Sequence, residues 1–213
     1  MADGVPMQFQ DRAQKDHALR YGMVIFLISE SLLFAGVFAY YTAAWSAYGS
    51  AFTAGVAHNI GWVGFVGTLV LLGSSGGMAL ATSLIEDDRG RLAGWCAQAA
   101  AVLGLGFLGL KGYEYYDHIV HGMLPGGRGD FFLEHPDPRL IPFVNGYWVT
   151  TGLHALHVVA GLVMILVAAY GCLRRGWDTR RAIVVDAVAL YWHFVDALWI
   201  VIWPMYYGMG GGS

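Results

Sequence analysis

The chain has 213 residues and a net charge of −3; 57% of its residues are hydrophobic and only 13% are charged. A soluble domain carries about 25% charged residues to keep its surface wet, so this composition excludes one and points to a membrane protein. The basic residues sit at the borders of apolar runs rather than on one face, which argues against nucleic acid as a partner.

The chain opens with an arm, residues 1 to 19, ending in the mixed-charge string "DRAQKDHALR". It differs from a short basic leader, so the first apolar run is expected to stay rather than be cleaved. Apolar runs follow at about 20 to 43, 61 to 84, 93 to 119, 146 to 173 and 183 to 206. Each is long enough to cross a hydrocarbon core as a helix. None shows the period-2 alternation of a barrel strand, and a helix satisfies every backbone group within its own segment. The expected fold is therefore all-α, a polytopic membrane bundle of five transmembrane helices. It forms one domain over 20 to 207, with one longer loop at about 120 to 145 and a flexible tail, 208 to 213, to which no function is given.

Glycines recur inside the runs, as in "GWVGFVG" and "GSSGG", where small residues let helix backbones approach closely. Nine Lys and Arg residues flank one side of the predicted spans (Arg12, Lys15, Arg20, Arg89, Arg91, Arg174, Arg175, Arg180, Arg181) and two the other (Arg128, Arg139). The positive-inside rule then places the N-terminus in the cytoplasm and the C-terminus outside. Cys96 and Cys172 fall near the cytoplasmic side, where thiols stay reduced, and are expected to be packing residues.

An ionisable side chain inside hydrocarbon costs about 2.5 to 3.5 kcal/mol at a helix centre, so each needs a reason. The candidates are Glu30, Lys111, Glu114, His154, His157, Asp186, His193 and Asp196. Lys111 and Glu114, three apart, can pair on one helix face, and mutual neutralisation near the outer border is expected. Asp186 lies near the inner border, within reach of water. Glu30 is roughly 15 Å deep by helical rise with no cation beside it in sequence, so its partner must come from another helix or from water. The spacings His154 to His157 and His193 to Asp196 each place two polar groups on one face. Such histidines could bind haem or a di-metal centre, or hydrogen-bond one another with no metal; spacing alone leaves both open.

Four strings carry a family resemblance. "RYGMVIFLISESLLFAGVFAYY", "LKGYEYYDHI", "GLHALHVVAGL" and "YWHFVDALWIVIW" resemble, in this order, the core helices of subunit III of haem-copper terminal oxidases, over about residues 20 to 207. The five-helix form of that family is the one this chain is similar to, lacking the first two helices of the seven-helix form.

The resemblance implies an accessory subunit with no catalytic residue, no metal and no redox cofactor of its own, haems and copper residing in partner subunits. Subunit I is implied as the main partner, with subunit II, small subunits and bound phospholipid also expected, in the inner (plasma) membrane. It implies support of proton uptake, of active-site stability and of lipid or oxygen access in a complex that reduces oxygen to water and translocates protons. Glu30 matches the family's buried, carbodiimide-reactive glutamate, expected to be hydrogen-bonded and uncharged. Lys111, Glu114, His154, His157, His193 and Asp196 are then expected to form an intramembrane polar network that fixes helix packing. The loop at 120 to 145 is a candidate contact for a donor complex, its "RGD" reading as a solvated turn, and helices of another subunit would stand where two are missing. The other readings are a quinol oxidase or nitric oxide reductase accessory protein and, from a different class, a membrane haem protein.

Overall fold

A computed structural model describes residues 12–178 and 181–208. The described residues form helices α1 (Arg12–Val56), α2 (Gly61–Glu86), α3 (Gly90–Val120), α4 (Phe131–Glu134), α5 (Leu140–Arg175) and α6 (Ala182–Trp203), with a π-wound turn at Pro204–Gly208. All but α4 are long and apolar enough to cross a membrane. Residues 1–11 and 209–213, which hold most of the arm and the tail, lie outside the described residues.

Three boundaries differ from the sequence reading, each for a local reason. α1 runs 45 residues where about 20 to 43 was expected. Nothing in "TAAWSAYGSAFTAGV" stops a helix of Ala-rich composition, and the chain bends only at Tyr48 (φ −135°, ψ 35°), beside Gly49 and Ser50. Gly/Ser pairs are a common site of kinks. Backwards, α1 starts at Arg12, so residues 12 to 19 of the expected arm are helical. α5 starts at Leu140 rather than 146, because Pro142 falls in its first turn, where the missing N–H has no intrahelical partner to lose. At the other end, Gly176 closes α5 in the left-handed region (φ 59°, ψ 50°), a conformation that favours glycine. α6 ends where Pro204 interrupts the α ladder.

The connections alternate between two ends of the bundle. One, the arginine-rich end, carries Asp87 to Arg89 and Gly176 to Arg181; the other, the loop end, carries Ala57 to Ile60 and residues 121–139. The loop between α3 and α5 is ordered by contacts of its own. Leu124 bridges Arg128, Gly129 takes φ 103°, and the Trp148 indole donates to the Met123 carbonyl at 2.9 Å. The "RGD" string is part of this turn.

α2, α3, α5 and α6 make the core, and α1 lies against α5 and α6. Only 6% of the apolar window of α1 is buried, against 50% for α6, so α1 is a peripheral helix. Small residues let the core helices close. A methyl on Gly77 would stand 3.2 Å from Ala100 Cβ, and one on Gly67 3.2 Å from the Phe107 ring, where α2 meets α3. The Trp192 indole of α6 is fully buried between Gly161 of α5 and Gly104 of α3. A Cβ there would lie 2.6 Å and 2.9 Å from its ring, respectively. Its Nε1 donates to Ser74 Oγ at 3.1 Å, and Ser74 donates to the Ala100 carbonyl at 2.7 Å. One tryptophan thus ties four helices.

Candidate functional site

The intramembrane polar residues fall into separate groups rather than one network. The largest is built on Lys111 and Glu114 of α3. They are 3% and 0% exposed and pair at 2.7 Å, about 14 Å and about 9 Å along the helix from its loop end by helical rise. The pairing that spacing foretold is formed, and it is enclosed within the bundle. Lys111 Nζ also donates to the hydroxyls of Tyr147 at 3.1 Å and Tyr207 at 2.8 Å, and Tyr207 donates in turn to Glu114 Oε2 at 2.7 Å. The ammonium stands 5.0 to 5.5 Å from the ring centroids of Tyr115, Tyr147, Trp199 and Tyr207, where the negative ring faces attract a cation. Tyr115 is itself held by Thr151 at 2.8 Å. All three donors of Lys111 are thereby used, which helps a buried ion pair to be tolerated, while Glu114 Oε1 has no hydrogen bond.

His154 packs beside this cage, 1% exposed. Its ring lies 5.2 Å from Trp199 and edge-on to Phe107 at 5.8 Å, and neither nitrogen forms a hydrogen bond. His157, three residues on, faces elsewhere. Its Nδ1 donates to the Leu153 carbonyl at 2.9 Å, and its Nε2 meets Glu30 Oε2 of α1 at 3.0 Å, with Phe34 edge-on at 5.2 Å. Three residues advance a helix about 300°, so the two imidazoles are not superposed. That offset lets one serve the core and the other the seam with α1. Since Nδ1 of His157 carries a proton, the Nε2 to Oε2 contact holds one further proton, on either atom. The pair has no net charge in both cases. Expected to be buried, Glu30 is 20% exposed at its side chain, because α1 covers α5 from one side only.

A third group lies between α2 and α6. Ser75 hydrogen-bonds His193 Nδ1 at 2.6 Å, while Asp196 is 4% exposed with neither carboxyl oxygen in a hydrogen bond. His193 and Asp196 share a face but do not bond each other. Asp186 is half-buried and borders a cavity of about 310 Å³ with Arg20 and Met23 at the arginine-rich end.

Sequence reasoning missed the tyrosines, Ser74 and Ser75 that complete these groups, and everything at the loop end. There Asn59 donates to the Tyr206 carbonyl at 2.8 Å, and His58 meets His135. Tyr207 lies one residue beyond the expected last span, 183 to 206, and its spacing gives no hint of Lys111, 96 positions upstream. In the exposed loop, Arg139 holds Asp137 through Nε at 2.9 Å and through its own backbone N–H at 3.0 Å, which lowers the Asp137 carboxyl below its ordinary value.

As a haem or di-metal site the three intramembrane histidines fit poorly. His157 is committed at both nitrogens, His193 bonds Ser75, and the His154 ring is held against two aromatic side chains. Among the described residues no three His, Cys, Asp or Glu side chains converge on one metal position, and Cys96 and Cys172 are free thiols.

Residues 7–122 and 142–210 match the family model described as cytochrome c oxidase subunit III. The chain is 28% identical over 193 residues to cytochrome bo(3) ubiquinol oxidase subunit 3 of Pseudomonas putida, covering 89% of this chain and 84% of the relative. It is 30% identical to cytochrome c oxidase subunit 3 of Thermostichus vulcanus, covering 87% and 85%. To the corresponding subunit of Bos mutus grunniens it is 31% identical, covering 90% and 70%.

Proposed function

From the premise that the chain belongs to the cytochrome c oxidase subunit III family, we propose that it is the accessory subunit III of a respiratory haem-copper terminal oxidase. The family match along nearly the whole chain carries this reading. The polar groups are consistent with a supporting role, because each of Lys111, His157 and His193 is spent on a protein partner. The haems and copper that reduce oxygen reside in partner subunits. This chain packs beside subunit I in the plasma membrane, N-terminus inside, and sustains proton uptake and active-site stability there. The exposed face of α1, which carries Ile25, Ile28 and Leu32, offers a surface for that contact or for phospholipid. An apolar groove of about 420 Å³ between α1 and α5, lined by Leu33, Val37 and Val149, suits an acyl chain.

Relatives include both a ubiquinol oxidase and cytochrome c oxidases, so the donor is decided by assay. The complex is captured through this chain in mild detergent, and its reduced-minus-oxidised spectrum and oxygen consumption are recorded with cytochrome c and with quinol. The expected result is an oxygen-consuming complex whose haem stays with the partners when this chain is released. Haem that remains on this chain overturns the reading.

A further inference from the structure

The loop end holds a histidine pair whose proton count does not close with neutral rings. His58, between α1 and α2, directs Nδ1 at the Ala54 carbonyl at 2.9 Å. His135, just after α4, directs Nδ1 at the Phe131 carbonyl at 3.2 Å. A carbonyl oxygen only accepts, so both Nδ1 atoms carry the ring proton of a neutral imidazole. The two Nε2 atoms then present lone pairs, yet they face each other at 3.3 Å. That repulsion is relieved by a proton shared between the rings or by a metal ion held beside both.

We propose that His58 and His135 bind a divalent late first-row metal ion, zinc in the first instance, through their Nε2 atoms. Three features favour it. Two imidazoles on a tetrahedral Zn²⁺, each about 2.0 to 2.1 Å away, stand about 3.3 Å apart, which is the separation found. A metal-ligating histidine commonly donates its other ring N–H to a carbonyl, which fixes the tautomer and the ring; both rings do so here. Phe131 stacks on His135 at 4.7 Å and meets His58 edge-on at 5.0 Å, so the pair is held by packing as well.

The surroundings have the matching charge. The pair borders a cavity of about 430 Å³ also lined by Asp117, Asp130, Glu134 and His118. His118 is 2% exposed, lies against the His58 main chain, and has no hydrogen bond at either nitrogen. It is a third imidazole, uncommitted, in the wall behind the pair. The three carboxylates supply negative potential at the mouth. Since no third side chain already converges on the metal position, water fills the remaining positions. The ion would clamp the end of α1 to the α3–α5 loop, and it plays no part in electron transfer. The proposal rests on this chain's residues alone and stands or falls independently of the oxidase reading.

The test is a zinc chloride titration of the chelator-washed complex, and of the full chain alone in detergent, against a chromophoric competitor. X-ray absorption at the zinc edge is then recorded at one equivalent. The expected result is one zinc per chain with two imidazole nitrogens at about 2.0 Å. His58→Ala and His135→Ala should each weaken binding about tenfold or more, with His157→Ala, outside this cavity's lining, unchanged. Zinc should raise the melting temperature of the wild-type chain and not of the two variants. Equal affinity in wild type and variants, or a bound zinc lacking two imidazoles, overturns the proposal; the wild-type spectrum decides it even if a variant fails to assemble.

Discussion

Lys111–Glu114 and Glu30–His157 are both carboxylate pairs inside the apolar thickness of the chain, but they are finished to different degrees. The first is enclosed by α3, α5 and the end of the chain, 3% and 0% exposed, with two tyrosine hydroxyls and four ring faces completing it. The second sits at the seam of α1 and α5, 20% and 13% exposed, with one bond between the partners. A third pair, Asp137–Arg139, is in the exposed loop. The core pair is thus enclosed by its own chain, with only Glu114 Oε1 of the pair lacking a hydrogen bond, while the seam pair stays partly open to whatever lies against α1.

The largest effect should come from the core. Lys111→Met leaves Glu114 buried without its cation and should cost about 3 to 5 kcal/mol, read as a fall in melting temperature and yield in detergent. The double variant Lys111→Met/Glu114→Leu should recover most of it, because removing both charges removes the desolvation penalty. A double variant as unstable as the single one would mean the pair itself holds the helices.

At the seam, Glu30→Gln should be mild, changing stability by less than about 1 kcal/mol, since an amide N–H can still reach His157 Nε2. The same variant should abolish carbodiimide labelling at this position. If the stability loss instead matches that of Lys111→Met, the contrast between core and seam fails.

The smallest effect belongs to the loop. The Asp137 carboxyl is lowered by the Arg139 side chain and backbone N–H. Its contribution is therefore present above the ordinary aspartate value, about 3.9, and is lost as pH falls below it. Protease nicking of the loop should rise in that range in wild type, and Asp137→Asn should show the same susceptibility at neutral pH. Being at the surface, the pair should leave the melting temperature of the bundle unchanged.

Five apolar runs were legible because a membrane span is a property of about twenty consecutive residues, and all five became helices. Their ends were not, since the Ala-rich stretch after Tyr41 and the early Pro142 read as breaks while the backbone tolerates both. Spacing foretold the Lys111–Glu114 contact, where the partners share one turn of one helix. It did not foretell that His157 would meet Glu30, 127 positions away in sequence, or that Ser75 would take His193, 118 away. Those contacts depend on which faces the helices bury, a fact held by no single segment. His58 and His135 escaped notice for the same reason, being separated by 77 positions and lying in stretches that read as connections.

The placement of Trp192, Tyr206 and Tyr207 bears on the order of assembly during synthesis. All three are synthesised after α1 to α5. Yet Trp192 fills the slot between Gly104 and Gly161, and Tyr207 completes the shell of Lys111, 96 residues upstream. Until then α3 enters the bilayer with Lys111 and Glu114 screened chiefly by each other, and by Tyr147 once α5 follows. The bundle therefore closes only once α6 has followed, and a nascent chain lacking α6 is a set of inserted helices without a locked centre.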